Sequence, residues 1–343
     1  MTTPLTEAGR EQAAQTAPGP GPLRARLRSR LRSAGPLAVT VGLLLVAVLA
    51  AYLRSGSETI VSQAVLTGLV TGGVYSLIAM GLTLIFGVLD IVNFAHGSFL
   101  AVALFVTYTV VQGTGLNPYV ALPVAIVVLF ALGALAQFTL LNPTMGRPLE
   151  SQLLLTLGIA LLIANALRLS FGGDPLSVAL PGDHGVHLAG AVANQSRLIA
   201  FGAALVLAVG LYLLLAHTSL GRAIRAVAAS RQGAGLVGID VRRIYVITFG
   251  IGTACAGAAG MLIAPFTTIT PTAGDQFNIL AFVVVVMGGL GNVVGALVSG
   301  IIVGLVEQLG GVILPGQSPL FGVFLVFILI LFVRPQGIFG ART

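Results

Sequence analysis

Long apolar stretches alternate with short polar ones along most of the chain, and their lengths set the first expectation. Residues 36–53, 60–81, 118–141, 151–171, 197–216, 244–263 and 319–333 each read as one apolar helix. About 20 such residues cross the hydrocarbon core of a bilayer. Two further stretches are interrupted. Residues 82–111 carry Asp90, Asn93, His96 and Gly97 midway, and 277–310 is too long for one span and breaks at Gly288, Gly289, Gly291 and Asn292. The pattern predicts an all-α polytopic membrane protein of about eight to ten transmembrane helices with broken or re-entrant elements.

The polar connections differ from one another. The stretch 217–243 is amphipathic: Leu220, Ile224 and Val227 fall on one helical face, with Arg222, Arg225 and Ala229 opposite, and Gly233, Gly235 and Gly238 loosen the chain beyond. Such a helix between two spans lies on the lipid surface or docks a soluble partner. The connection 172–196 holds Asp174, Asp183, His184 and His187 but no arginine, and its glycines and proline predict a loop rather than a metal site. Residues 1–35 are polar and end in Arg24, Arg26, Arg28, Arg30 and Arg32, which predicts a disordered cytoplasmic tail against anionic lipid headgroups. The apolar stretch 36–53 then reads as an extra, retained N-terminal span.

Composition sharpens this picture. Apolar residues make up 57% of the chain and charged residues 8%, against roughly a quarter charged in soluble domains. The 45 glycines suit close helix packing, and Gly68 and Gly72 fit the small-xxx-small spacing. A net charge of +7 would suit nucleic acid, but the arginines sit in short loops between spans, which orientation in the membrane explains instead. All 17 basic residues are arginine. A GxxxxGK[ST] phosphate loop and a Schiff-base lysine are therefore excluded, so any ATP engine must be a separate subunit. The single cysteine, Cys255, can form no intrachain disulfide, and no nucleophile triad, paired carboxylates or metal cluster points to an enzyme.

The arginines also orient the chain. With the tail inside and ten alternating segments, fourteen arginines fall inside and three (Arg54, Arg168 and Arg197) in the membrane or outside. Both termini and the 217–243 loop are expected to be cytoplasmic.

The chemistry of passage rests on few groups. Ionisable side chains within membrane segments are costly and point to function. A helix break frees backbone groups that can line a cavity, although a plain turn with Asn93 capping the second helix reads equally well. Gly87, Asp90, Asn93, His96, Gly97, Gly289 and Asn292 are the candidates for a translocation path or gate. The segments NFAHGSFLAVALF and GNVVGALVSGIIV echo each other as polar break, glycine and small-residue helix, as transporter repeats do. An ion-coupled secondary transporter, with Glu307 or Asp90 as its acidic residue, and a passive channel remain open readings at this point.

Several collinear motifs carry a family resemblance: GLTLIFGVLDIVNFAHGSFLA (81–101), LLLTLGIALLIANALRLSFGGDP (153–175), LGRAIRAVAASRQGAGLVGID (220–240), VMGGLGNVVGALVSG (286–300) and RPQGIFG (334–340). Over residues 60–340 the chain resembles the Liv-type permeases, membrane subunits of branched-chain amino acid ABC importers. The resemblance implies a multi-pass permease of the bacterial inner membrane without cofactor or ATPase activity of its own. Its implied partners are two ABC ATPase subunits, a second permease subunit and an extracytoplasmic solute-binding protein. Its substrate would be a branched-chain amino acid, or alternatively urea or a short amide. The ATPase-coupling role maps onto Leu220, Gly221, Arg222, Ile224, Arg225, Val227, Gly238 and Ile239. Gln232-Gly233 departs from the acidic residue and alanine common in the family.

Overall fold

The computed structural model describes residues 36–178, 184–188, 191–316 and 318–340. The 1–35 tail, Asp183 and Arg342 lie outside the described residues. Two compact units are distinguished, Met1–Leu43 and Leu44–Thr343, and of the first only the opening turns of a helix are described.

The helices are α1 (Pro36–Ser55), α2 (Glu58–Leu89), α3 (His96–Thr114), α4 (Ala121–Ala136), α5 (Leu149–Phe171), α6 (Gln195–His217), α7 (Ser219–Ala229), α8 (Arg231–Leu236), α9 (Val241–Ile263), α10 (Ala273–Gly288), α11 (Val293–Ile313) and α12 (Leu320–Val333). Short 3₁₀ and π turns extend α4 so that Pro118–Thr144 forms one apolar element. Among the described residues seven helices are long and apolar enough to cross a membrane. Three shorter apolar helices, Thr40–Ser55, α10 and α12, accompany them. The chain is a multi-pass membrane protein.

Two elements depart from the expectation. No boundary falls at Gly81, because α2 runs unbroken to Leu89 with Gly81 packed against Gly252 and Cys255 of α9. The 172–196 connection is not all loop, since β1 (Gly185–Leu188) pairs antiparallel with β2 (Ala191–Asn194). Gln63 on α2 fastens this hairpin, its side chain donating to Val192 O at 2.9 Å and accepting from Val192 N at 2.9 Å.

Helix α2 is the axis of the larger unit. Its apolar window is 89% buried, whereas those of α4 and α6 are 22% buried and that of α5 11%. Apolar helices that stay exposed in this way present their side chains to lipid or to another subunit. The tightest partner of α2 is α11. A Cβ added at Gly68 or Gly72 would lie 2.8 and 2.7 Å from the Cα atoms of Leu305 and Ile301. Only glycine lets the two backbones come this close, which is how dispersion and weak polar contacts replace a hydrophobic driving force inside lipid. The small-xxx-small spacing read from the sequence is therefore a real helix contact.

Candidate functional site

The bundle has two ends. One carries the β1–β2 hairpin and is here the hairpin end; the other carries α7 and α8, between α6 and α9, and is the loop end. Most of the candidate residues converge on the loop end and on the interior above it.

Helix α2 terminates at the loop end with Asp90 in a left-handed conformation (φ 57°, ψ 30°), its N–H bonded to Phe86 O. The following residues do not turn across to a neighbouring helix end. They run back into the protein beside α2. Thr156, seven residues into α5, donates to Val92 O (3.3 Å) and accepts from Phe94 N (3.3 Å). His96 Nε2 lies 3.0 Å from Ile78 O. A carbonyl only accepts, so this contact requires the ring proton on Nε2. Ile78 is eleven residues before Leu89, about 16 Å up the helix at 1.5 Å per residue. Thus α3 starts deep inside the bundle, and the break is re-entrant rather than a plain turn.

Polar side chains hold this break. Asn93 Oδ1 accepts from Ala95 N at 3.1 Å. Asn278 of α10 bridges it from outside, donating to Phe94 O (3.0 Å) and accepting from Gly97 N (3.1 Å). Gly97 abuts Gly274, where a Cβ on either would collide with the other's carbonyl oxygen. Asn93 and His96 are fully buried, and among the described residues Asn93 Nδ2 and His96 Nδ1 have no hydrogen-bond partner. Asn93 does not cap α3, whose N-cap position is Ala95 without a side-chain bond. Asn278 was not among the sequence candidates, although a polar residue in the run FNILAFVVVV was signal enough.

The second break is of another kind. Asn292 caps α11, its Oδ1 accepting from Gly295 N at 2.9 Å. Its Nδ2 donates to Phe339 O at 3.1 Å, and Ile338 N and Phe339 N bond to Met287 O and Gly288 O. Gly289 and Asn292 therefore form a tight turn that the RPQGIFG stretch closes. Gly87 packs on Gly291, which brings this turn beside the loop end of α2. The sequence echo between the two breaks is not repeated in their geometry.

The connection expected as one helix-turn is two helices, each with its own cap. Thr218 Oγ1 accepts from Gly221 N (3.0 Å) to start α7, and Ser230 Oγ accepts from Gly233 N (3.0 Å) to start α8. The apolar face expected to meet a partner turns inward: Ile224 and Val227 are buried, Leu220 is half-buried, and Gly221 packs on the carbonyls of Leu214 and Leu215. Arg222 and Arg225 are exposed. What projects is the tip of α8, where Leu236 is 89% and Val237 76% exposed, with Gly238 (φ 84°) and half-buried Ile239 behind them.

Arg231, the first residue of α8, joins this element to the break. Its Nη2 donates to Leu89 O at 2.9 Å and to Asp90 Oδ2 at 3.2 Å, and its guanidinium lies 5.7 Å from the Tyr245 ring centroid. A cation on the last carbonyls of a helix meets the negative end of its dipole. Both side chains are substantially exposed, so the ion pair itself stabilises by at most about 1 kcal/mol. Its consequence is positional, since α8 is fixed to the point where α2 stops.

Known proteins place the chain. The model of the family described as "Branched-chain amino acid transport system / permease component" matches residues 64–333. The permease protein BraD of the high-affinity branched-chain amino acid transport system of Pseudomonas aeruginosa is 30% identical over 292 residues, covering 81% of this chain and 95% of that protein. LivH, the corresponding permease of Escherichia coli K12, is 31% identical over 294 residues, with the same coverage of both chains. A probable LivH of Methanocaldococcus jannaschii is 32% identical over 243 residues, 68% of this chain and 76% of that one. No solved structure matches. These relatives are transport permeases and not enzymes. The chain belongs to the family of permease components of branched-chain amino acid transport systems.

Proposed function

We propose that this chain is the pore-forming subunit of an ABC importer that passes a branched-chain amino acid into the cytoplasm. Separate ATPase subunits act on its loop end, and a solute-binding protein delivers cargo at its hairpin end. The observation that carries the reading is the α7–α8 element: an exposed apolar tip, Leu236 and Val237, on a helix whose first residue holds the end of α2 and the start of the re-entrant break. A push on the tip would reach Asp90 through one side chain. Asn93, His96, Gly97 and Asn278 then serve as the hinge of the path, and Gly87, Gly289 and Asn292 as the packed turn beside its inner mouth.

Orientation follows from charge. Arg147, Arg222, Arg225, Arg231, Arg242, Arg243 and Arg334 all belong to the loop end, which supports reading it as the cytoplasmic face. On that reading the 1–35 tail is cytoplasmic, 36–53 is a retained extra span, and a second permease subunit covers part of the exposed apolar faces of α4, α5 and α6. The absence of lysine supports ATPase subunits in separate chains. The relatives do not favour an ion-coupled carrier.

The test is reconstitution of the chain with its ATPase subunits, partner permease and binding protein in proteoliposomes. L-leucine uptake should require ATP on the loop-end side and loaded binding protein on the other. Uptake by the chain alone, driven by an ion gradient, would defeat the reading.

A further inference from the structure

A cavity of about 440 Å³ enters the bundle at the hairpin end and reaches Tyr75, near the middle of α2. Its size is in the range of small-molecule sites. Its wall holds two ionic side chains of opposite sign, Arg197 and Glu307. They are not an ion pair, because among the described residues the ion pairs are Arg231–Asp90 and Arg243–Asp240. Arg197, two residues into α6, lies with its guanidinium 5.2 Å from the ring centroid of Phe266. Glu307 lies within α11 and is only 9% exposed. Tyr75 lines the same wall, and among the described residues Glu307 Oε2 is buried with no hydrogen-bond partner.

A carboxylate set in the wall of a membrane protein without a cation is costly, and the cost points to a ligand that supplies one. Phe266 and Phe277 add apolar surface, and the Phe277 ring lies 6.3 Å from that of Tyr75. Thr267, Thr268 and Gln276 add hydrogen-bonding groups to its lining. One cation, one anion and aromatic walls form the complement of a zwitterion with an apolar side chain. A neutral amide or urea would leave both charges unanswered.

We propose that this cavity is a docking site for the α-amino acid cargo on its way in. The α-ammonium is seated on Glu307 and Tyr75, the α-carboxylate on Arg197, and the side chain against Phe266 and Phe277. The inference rests on the importer reading above and adds to it where, and by which groups, the cargo is held. The site lies at the face opposite α7 and α8, where cargo leaves the binding protein, and α2 links it to Asp90 and the inner mouth.

The experiment uses the full importer in proteoliposomes with saturating leucine-loaded binding protein. Glu307→Gln and Arg197→Gln should each lower L-leucine uptake by about tenfold or more, the effect of losing a charge-assisted hydrogen bond. Each variant should co-purify with its ATPase subunits and partner permease in the same ratio as the unmodified chain, which separates lost cargo binding from lost assembly. Uptake within about twofold for both variants overturns the site and leaves the importer reading standing. An unmodified complex that imports no branched-chain amino acid overturns the importer reading, and the site with it. A second measurement needs no variant: a diazirine analogue of leucine, irradiated on the unmodified complex, should label peptides containing Tyr75, Phe266–Phe277 or Glu307, and excess leucine should suppress the label. Leucine-suppressed labelling confined to other helices overturns the proposal.

Discussion

Asp90 holds a left-handed backbone that glycine adopts freely and that aspartate tolerates better than most residues, at a smaller cost. Its carboxylate pairs with Arg231, so backbone and side chain make opposite demands on the residue. Asp90→Gly should leave thermal stability within about 1 kcal/mol of the parent, since relief of strain offsets the added chain entropy and the lost pair. Uptake should nevertheless fall several-fold, because α8 is no longer tied to the break; unchanged uptake in proteoliposomes would reduce Asp90 to a helix terminator. Gly97 presents the reverse case. Gly97→Ala must push its methyl against the Gly274 carbonyl and should lower the melting temperature of the purified chain markedly, while Gly158→Ala, on an open stretch of α5, should not. Asp90, Asn93 and His96 were legible as a costly polar interruption of an apolar run. The groups that hold the interruption are remote: Ile78 lies 18 positions from His96, Arg231 141 from Asp90, and Asn278 184 from Phe94. One strand of sequence carries no distance information across such separations, so the interruption could not be told from a turn.

The α7–α8 element shows how an amphipathic pattern can be read correctly and still be assigned to the wrong neighbour. Leu220, Ile224 and Val227 do share a face, but the apolar face of a helix meets whichever apolar surface is nearer, and here its own bundle is nearer. The surface left for a partner is the short tip at Leu236 and Val237, whose exposed apolar side chains follow no helical period. The two faces make opposite predictions. Ile224→Ala should destabilise the chain by about 2–4 kcal/mol, as truncation of a buried aliphatic does, and lower its yield. Leu236→Ala combined with Val237→Ala should leave thermal melting unchanged and weaken capture of the ATPase subunits on pull-down by about tenfold, the scale of a central apolar contact in an interface. Equal capture by the tip variant would move the docking surface elsewhere on the loop end. Gly238→Asp, in a left-handed position just behind the tip, should share the tip phenotype in weaker form, since aspartate tolerates that backbone better than most residues.

At the scale of the molecule, the helix pattern was legible because a bilayer imposes length and composition together, and no soluble core asks for both. The depth to which the first break re-enters the bundle was not legible, nor was the hairpin at the other end, because both depend on packing between distant segments. Orientation joins the two functional readings, since importer and docking site alike require the loop end to face the cytoplasm and the Glu307 cavity the outside. Cys255 makes the test simple. It is the only cysteine in the chain and it is buried, so an impermeant maleimide has a quiet background. Asp174 and Gln232 are exposed at opposite ends of the bundle, Asp174 just beyond α5 on the hairpin side and Gln232 within α8. In intact cells Asp174→Cys should react with the maleimide and Gln232→Cys should not, until the membrane is permeabilised. The arginine distribution demands this result, because placing seven loop-end arginines outside would oppose the rule that sets the topology of short loops. The opposite labelling pattern would turn the bundle over, put Leu236 and Val237 beyond the reach of any cytoplasmic ATPase, and remove the argument for import from both ends at once.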